Sequence, residues 1–342
     1  MAADDDTDLP TGDRTEAMLS TARSVVRTCL QVRREEDVLV ITDPQTAEIG
    51  QALYEEAARV TDRILLVMMP PTQKPGKEPP IPVSDIMRRN RVIMIATQDS
   101  LTHTRARYYA SREGARIVSM PGISSELFES GGCTADYLAI ASEIGGMSSA
   151  FRRRRNLHIT SSAGTDIKFT TGSRWVLEDN GICNRPGQVA NLPAGKVFVL
   201  PQEGSMNGNI VIDGSWEGNL LEEPLSFQIE NGMVIGITGG EVSQEIESLF
   251  ELAKSGLRGS RRELVYTVAE FGYGLNPKAT KIVGNRLEDQ VVRGSAYFGF
   301  GDNTSFSEGS ARVGFHLRGV MRNPSIKLDE FDLLKDGKVN PK

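Results

Sequence analysis

The chain has 342 residues, of which 39% are hydrophobic, 25% charged and 6% aromatic. That is ordinary globular composition, and it excludes a wholly disordered, collagen-like or coiled-coil protein. With 39 basic and 45 acidic residues the net charge is −6, without the basic excess of a dedicated nucleic-acid binder. Cys29, Cys133 and Cys183 are scattered and form no CxxC pair, which argues against a disulfide framework or a cysteine zinc site. No apolar run reaches the roughly 20 residues of a membrane span, and the first dozen residues are acidic rather than signal-like. The expectation is a cytoplasmic protein with a small-molecule substrate, no nucleic-acid partner and no membrane partner.

Residues 1–14 read as a disordered acidic tail. Thr15–Val32 carries one apolar stripe, which predicts an amphipathic helix. The apolar runs Asp37–Ile41, Arg63–Met69, Val92–Ala96 and Ala115–Met120 read as buried strands. Helical stretches near Thr46–Val60 and after Thr102 separate them. Such alternation predicts a parallel sheet in an α/β domain over residues 15–151. Pro70–Pro82 is too proline-rich for regular structure.

After the FRRRR run (Phe151–Arg155), read as the solvated end of a helix, the pattern changes to short strands and glycine turns. The Asn231-Gly232 pair marks a hairpin, and a helix near Ser243–Ser255 interrupts the strands. The predicted fold is therefore an N-terminal α/β domain followed by a β-rich (α+β) domain over 152–342, which carries the site. The GxG stretches FGYGLN (Phe271–Asn276) and FGFGDN (Phe298–Asn303) read as turns in β structure, not phosphate cradles. His103, His158 and His316 are the only histidines. His103 follows a buried strand, a usual ligand position in an open α/β sheet. His316 and Arg318 point to one face of a strand.

Several phrases occur together and in order: Asn191–Ser215 (NLPAGKVFVLPQEGSMNGNIVIDGS), Ala269–Pro277, Gly294–Asn303 and Gly314–Asp329, with DLLKDGKV near the end. This set resembles the aminopeptidase T metallopeptidase superfamily, in particular its branch containing 2,5-dihydroxypyridine 5,6-dioxygenase. The resemblance implies a homo-oligomer, such as a dimer, with its site in the C-terminal domain. It also exposes departures. Where the pattern PxGEVF carries a ligand glutamate, this chain has Lys196. Where GTxHxAFGDN carries a ligand histidine, it has Tyr297. Where HxD supplies two ligands, it has His316 and Arg318. Glu270 of the AEFGxG phrase is retained.

Cations in place of anionic ligands disfavour a divalent metal. The sequence therefore predicts an enzyme of hydrolase or lyase type without a cofactor, acting by acid–base chemistry on a small carboxylate-bearing molecule. Its catalytic residues would be Lys196, Glu270, Tyr297 and His316, and its substrate-binding residues Arg318, His103 and Glu203. Glu270 should pair with Lys196 or Arg318, lowering its own pKa and raising that of Lys196. One alternative keeps Zn, Mn or Fe on Glu203, Glu270, His316 and Asp302, for hydrolysis or ring cleavage. Another is a non-catalytic binding protein.

Overall fold

The computed structural model describes residues 15–151, 154–172, 177–304 and 310–340. The predicted acidic tail, and Arg152 and Arg153 of the FRRRR run, lie outside the described residues. Two compact units are present. The first takes the chain to Thr134 and adds Ile182–Ala190; the second takes Ala135–Gly181 and everything from Asn191 onward.

In the first unit, strands β1 (Val38–Thr42), β2 (Ile64–Met68), β3 (Val92–Ala96) and β4 (Arg116–Ser119) alternate with helices. These are α1 (Glu16–Ser24), α2 (Ala47–Ala58), α3 (Ile81–Met87), α4 (Arg105–Arg112) and α5 (Ser125–Ser130). Together with β8 (Val189–Asn191) the strands form a five-stranded sheet of order β2-β1-β3-β4-β8, and β1 pairs in parallel with both β2 and β3. Every residue of β1 and β3 is buried, as continuous apolar runs in a parallel sheet require. Strand β2, read as buried, is instead a half-exposed edge, with Leu65 at 50% and Met68 at 55% exposure. The first predicted helix ends early, in a π-helical turn over Val25–Cys29. Pro82 falls in the first turn of α3, where its missing N–H costs nothing.

The second unit opens with α6 (Tyr137–Ala150), so the first unit ends at Thr134 rather than near Phe151. The pattern change in the sequence marks the end of that helix, not the edge of the unit. Two sheets follow. The first contains β5 (Asn156–Thr160), β6 (Asp166–Thr170), β10 (Asn207–Ile212), β13 (Leu225–Glu230) and β14 (Met233–Thr238). It continues through β18 (Ser325–Leu328), β19 (Phe331–Lys335) and β20 (Lys338–Val339), in the order β14-β13-β10-β6-β5-β18-β19-β20. Asn231 and Gly232 turn the β13–β14 hairpin with φ of 50° and 78°, the left-handed pair that the sequence signals.

The other sheet has the order β12-β11-β17-β16-β15-β9-β7. Its strands are β7 (Leu177–Asp179), β9 (Lys196–Val199), β11 (Ser215–Trp216), β12 (Asn219–Leu220), β15 (Val268–Gly274), β16 (Ala296–Gly301) and β17 (His316–Met321). One face is aromatic. Phe271 and Phe298 meet at 4.9 Å between ring centroids, Phe271 meets Phe169 of β6 at 5.6 Å, and Phe300 stacks on Phe227 of β13 at 4.6 Å. These rings join the two sheets into one core. FGYG and FGFG are thus central strands, not turns. Their alternation places aromatic rings on the core face and glycines on the opposite one.

Candidate functional site

The face opposite the aromatic core gathers the residues singled out in the sequence. Register brings Glu270 of β15, Gly299 of β16 and Arg318 of β17 into one row. A β-bulge between Val268 and Glu270 re-aims the carboxylate within the row. Gly299, in the middle, is bare for a reason. A Cβ there would lie 2.5 Å from Glu270 Cγ and 3.0 Å from both Glu270 Oε1 and His316 Nε2. Across this gap Arg318 Nε donates a short hydrogen bond to Glu270 Oε1, and His316 Nε2 lies 3.1 Å from the same oxygen. The i, i+2 spacing of His316 and Arg318 sends both to one carboxylate.

The His316 ring is fixed by its other nitrogen, which donates to the Asp302 carbonyl at 2.6 Å. With Nδ1 carrying a proton, Nε2 can donate to Glu270 only when the ring carries both protons. Glu270 is fully buried. Burial works against its charge, but the Arg318 guanidinium and the His316 hydrogen bond outweigh it and hold the carboxyl well below the usual range. Its second oxygen, Oε2, is buried without a hydrogen-bond partner among the described residues. The terminal nitrogens of Arg318 likewise make no hydrogen bond there, Nε and the backbone N–H being the donors in use.

The next row holds Tyr297, whose ring lies over Gly272: a Cβ on Gly272 would stand 2.5 Å from its Cε1. Two cations flank the ring, Lys196 Nζ at 5.5 Å and Arg318 Cζ at 5.9 Å from its centroid, within cation–π range. Burial, with the charge of Glu270, pushes the phenol well above its ordinary pKa, so Tyr297 is a proton-holding donor. Lys196 donates to Gln290 Oε1 at 2.9 Å and lies 3.5 Å from Asp179 Oδ2. It pairs with Asp179, not Glu270, and burial lowers its pKa rather than raising it. Asp179 is raised, burial again being the larger influence, with Lys196 opposing it.

Not every expected residue joins this face. His103 lies exposed in the β3–α4 loop of the first unit. At the carboxyl ends of β1 and β3, where open α/β sheets usually bind ligands, carboxylates are paired within the protein. Asp43 Oδ1 accepts from Thr46 Oγ1 at 3.1 Å, and Oδ2 from the Gln98 N–H at 2.6 Å. Glu78 closes the start of α4 by accepting from the N–H groups of Arg105 and Ala106 at 2.6 and 3.1 Å. Glu203 is exposed and bonded to Ser310. The Asp302 carboxylate is committed to Thr304 and to the N–H groups of Val313 and Gly314. Sequence reasoning missed Asp179, Gln290, Glu217 and Arg286. They come from a short edge strand, a short helix and loops, and carry no motif; a buried lysine at position 196 is itself the signal that a carboxylate must lie nearby.

The second unit thus carries a buried, partly unsatisfied ionic centre on a glycine-cleared sheet face. Solved structures share the fold. The structure of 2,5-dihydroxypyridine dioxygenase from Pseudomonas putida KT2440 superposes with a TM-score of 0.77, at 19% identity, covering 96% of this chain and 98% of that one. Wild-type AmpT from Thermus thermophilus superposes with a TM-score of 0.67, at 13% identity, covering 94% and 98%.

The chain belongs to the 2,5-dihydroxypyridine 5,6-dioxygenase family, whose sequence model matches residues 17–341. A 2,5-dihydroxypyridine 5,6-dioxygenase of P. putida is 26% identical over 203 residues, 55% of each chain. The aligned segment thus spans about half of that relative's length.

This membership overturns the expectation of no cofactor. A dioxygenase reaction must handle triplet O2, which ordinary side chains do not activate, so the family points to a metal. The residues of this chain fit such a group poorly. Glu270 and His316 are two adjacent groups of ligand type, 3.1 Å apart at their nearest atoms, but Lys196, Tyr297 and Arg318 stand at the other ligand places of the resemblance. Among the described residues, no three His, Cys, Asp or Glu side chains converge as a metal would need. In the alternative set both further carboxylates are engaged elsewhere, Glu203 with Ser310 and Asp302 with Thr304, Val313 and Gly314.

Proposed function

We propose that this protein is an enzyme acting by acid–base chemistry on a small acidic organic molecule, such as a hydroxylated or carboxylated heteroaromatic ring. The observation that carries the reading is the open valence of the Glu270–Arg318 pair. A buried carboxylate oxygen without a partner costs about 1–3 kcal/mol or more, and such a cost is kept where a ligand completes the bonding. The terminal nitrogens of Arg318 take the substrate's anionic oxygen. Glu270 Oε2 accepts from its donor group. His316 Nε2 gives or receives a proton at the ring, and the Tyr297 hydroxyl donates a hydrogen bond to it. Lys196, held by Asp179 and Gln290, keeps that side of Tyr297 electropositive and is a secondary proton carrier. A homodimer belongs to the same reading and is supported by the apolar, half-exposed edge strand β2, a surface that isolated chains usually protect.

The test is binding, then turnover, of a panel headed by 2,5-dihydroxypyridine. Binding is measured under nitrogen; turnover is followed in air, with protein as purified and after loading with ferrous iron. Binding that Arg318→Met abolishes, with the variant still folded, is the expected result. No binding of any panel member, or binding indifferent to Arg318, would refute the proposal. Sedimentation at micromolar concentration checks the dimer.

A further inference from the structure

Strand β17 presents His316 and Arg318 to Glu270, yet its outer edge is covered by β11 only beside Gly319 and Val320. Beyond that point the neighbouring strand would continue with Glu217. It does not continue, because Glu217 adopts φ of 52°, a conformation uncommon for a glutamate. Its N–H still donates to the Arg318 carbonyl at 2.9 Å, as a strand partner would. The acceptor for the Arg318 N–H, however, is the Glu217 side chain, with Oε1 at 2.6 Å. The other oxygen, Oε2, lies 2.8 Å from Arg286 Nη2, and that same nitrogen donates to the His316 carbonyl at 3.2 Å.

We propose that Glu217 is a positioning residue of this site: its carboxylate takes the place of a strand carbonyl and, with Arg286, fixes the edge of β17 that aims His316 and Arg318 at Glu270. The arrangement has a physical rationale. An ordinary strand neighbour would hold residues 316–318 equally well through backbone bonds alone. Bending the backbone away at Glu217 and substituting side chains instead leaves a guanidinium and a carboxylate as the fixing elements. The carboxylate also adds a second negative charge beside Arg318, whose principal partner is Glu270. Local strain of this kind persists where surrounding contacts enforce it, and it clusters at functional sites.

The inference rests on the proposed function for its meaning, but its test does not depend on a ligand. The chain has 3 histidines, so histidine-labelled protein gives a spectrum in which the His316 ring can be assigned with a His316→Gln reference. Glu217→Gly accepts the positive φ and removes the side chain with its carboxylate; it should move the His316 ring resonances and weaken 2,5-dihydroxypyridine binding under nitrogen by about tenfold. Glu217→Gln keeps an oxygen for the Arg318 N–H and should fall between wild type and glycine in both measurements. Arg286→Gln removes the contact to the His316 carbonyl and should move the same ring resonances, giving a second route if Glu217→Gly does not fold. Unchanged His316 resonances in a folded Glu217→Gly or Arg286→Gln variant would overturn the positioning role, even if thermal stability fell. If wild-type protein bound no probe, the proposed function would fail while the resonance measurement still decided the role of Glu217.

Discussion

Each unit of the molecule contains an arginine–glutamate pair with one partner buried, Arg116 with Glu36 and Arg318 with Glu270, and the two are built differently. In the first unit Arg116 Nη1 and Nη2 grip both oxygens of Glu36, at 2.6 and 2.8 Å, while Nε and Nη2 also donate to the Leu30 carbonyl at 3.2 and 3.0 Å. That pair is closed. In the second unit Arg318 meets Glu270 through Nε alone, and Glu270 Oε2 is left over. The buried side-chain atoms without a partner among the described residues, Ser148 Oγ, Ser215 Oγ, Glu270 Oε2 and Tyr273 OH, all belong to the second unit. The first unit even fills its own anion-attracting positions with Asp43 and Glu78. The same chemical pair thus serves once as a structural lock and once as an incomplete centre. Completeness of hydrogen bonding, rather than burial or charge, separates scaffold from site.

The largest effects come from breaking either pair. Arg318→Met strands the buried Glu270 carboxylate and should lower the unfolding free energy by about 3–5 kcal/mol. Arg116→Met strands the partly exposed Glu36 and the Leu30 carbonyl and should cost about 1–3 kcal/mol, both read by denaturant titration. The two variants should part company in binding. Arg116→Met should leave ligand affinity per folded molecule unchanged, whereas Arg318→Met should abolish it. Equal loss of affinity in both variants would erase the distinction between lock and site.

A somewhat smaller effect tests the cleared row. Gly299→Ala drives a methyl group between Glu270 and His316 and should cost about 1–3 kcal/mol, with loss of ligand binding. Gly145 in α6 is the control: a Cβ there meets nothing within 4 Å. Gly145→Ala should be neutral or stabilising by about 0.5–1 kcal/mol, as expected for removing an interior helix glycine. A destabilised Gly299→Ala variant that retained full binding would show that the gap is packing alone.

Much of this was legible in the sequence, and the failures share a cause. Continuous apolar runs gave β1 and β3, and Asn231-Gly232 gave the hairpin, because these depend on local pattern. The convergence of His316 and Arg318 followed from period two. FGYG and FGFG misled because glycine was read as a turn former. Aromatic–glycine alternation has the same period two, and it describes a strand with one crowded and one bare face. The partner of Lys196 was not legible: Asp179 meets it through long-range register between β7 and β9, which no local spacing encodes. The pKa shift of Lys196 was misjudged with it, because burial outweighs the pairing. The expectation of no cofactor failed differently. It weighed the charges of substituted residues, which describe this chain's donor set, against chemistry that belongs to the family.

The smallest effect shows only at alkaline pH. Cys29, Cys133 and Cys183 are buried thiols outside any disulfide, and all three fall in the first unit. There no buried side-chain nitrogen or oxygen among the described residues lacks a hydrogen-bond partner. Burial pushes the Cys183 thiol from 9.0 up to about 11, and Cys29 is raised as well by burial and by its neighbour Cys183. The folded state therefore keeps the Cys183 proton at a pH where the unfolded chain has released it. That contribution to stability is fully present below about 9, the unfolded value, and is lost as pH rises through the folded value. At pH 8, thiol reagents should label native protein no faster than it unfolds and should label all three cysteines in denaturant. Cys183→Ala lacks this linkage. Whatever packing it loses, the stability gap by which wild type exceeds it should narrow as pH rises from 9 through 11, measured by denaturant titration at each pH. A constant gap would mean that the Cys183 thiol is not raised, and that the closed packing of the first unit is looser than its hydrogen bonds suggest.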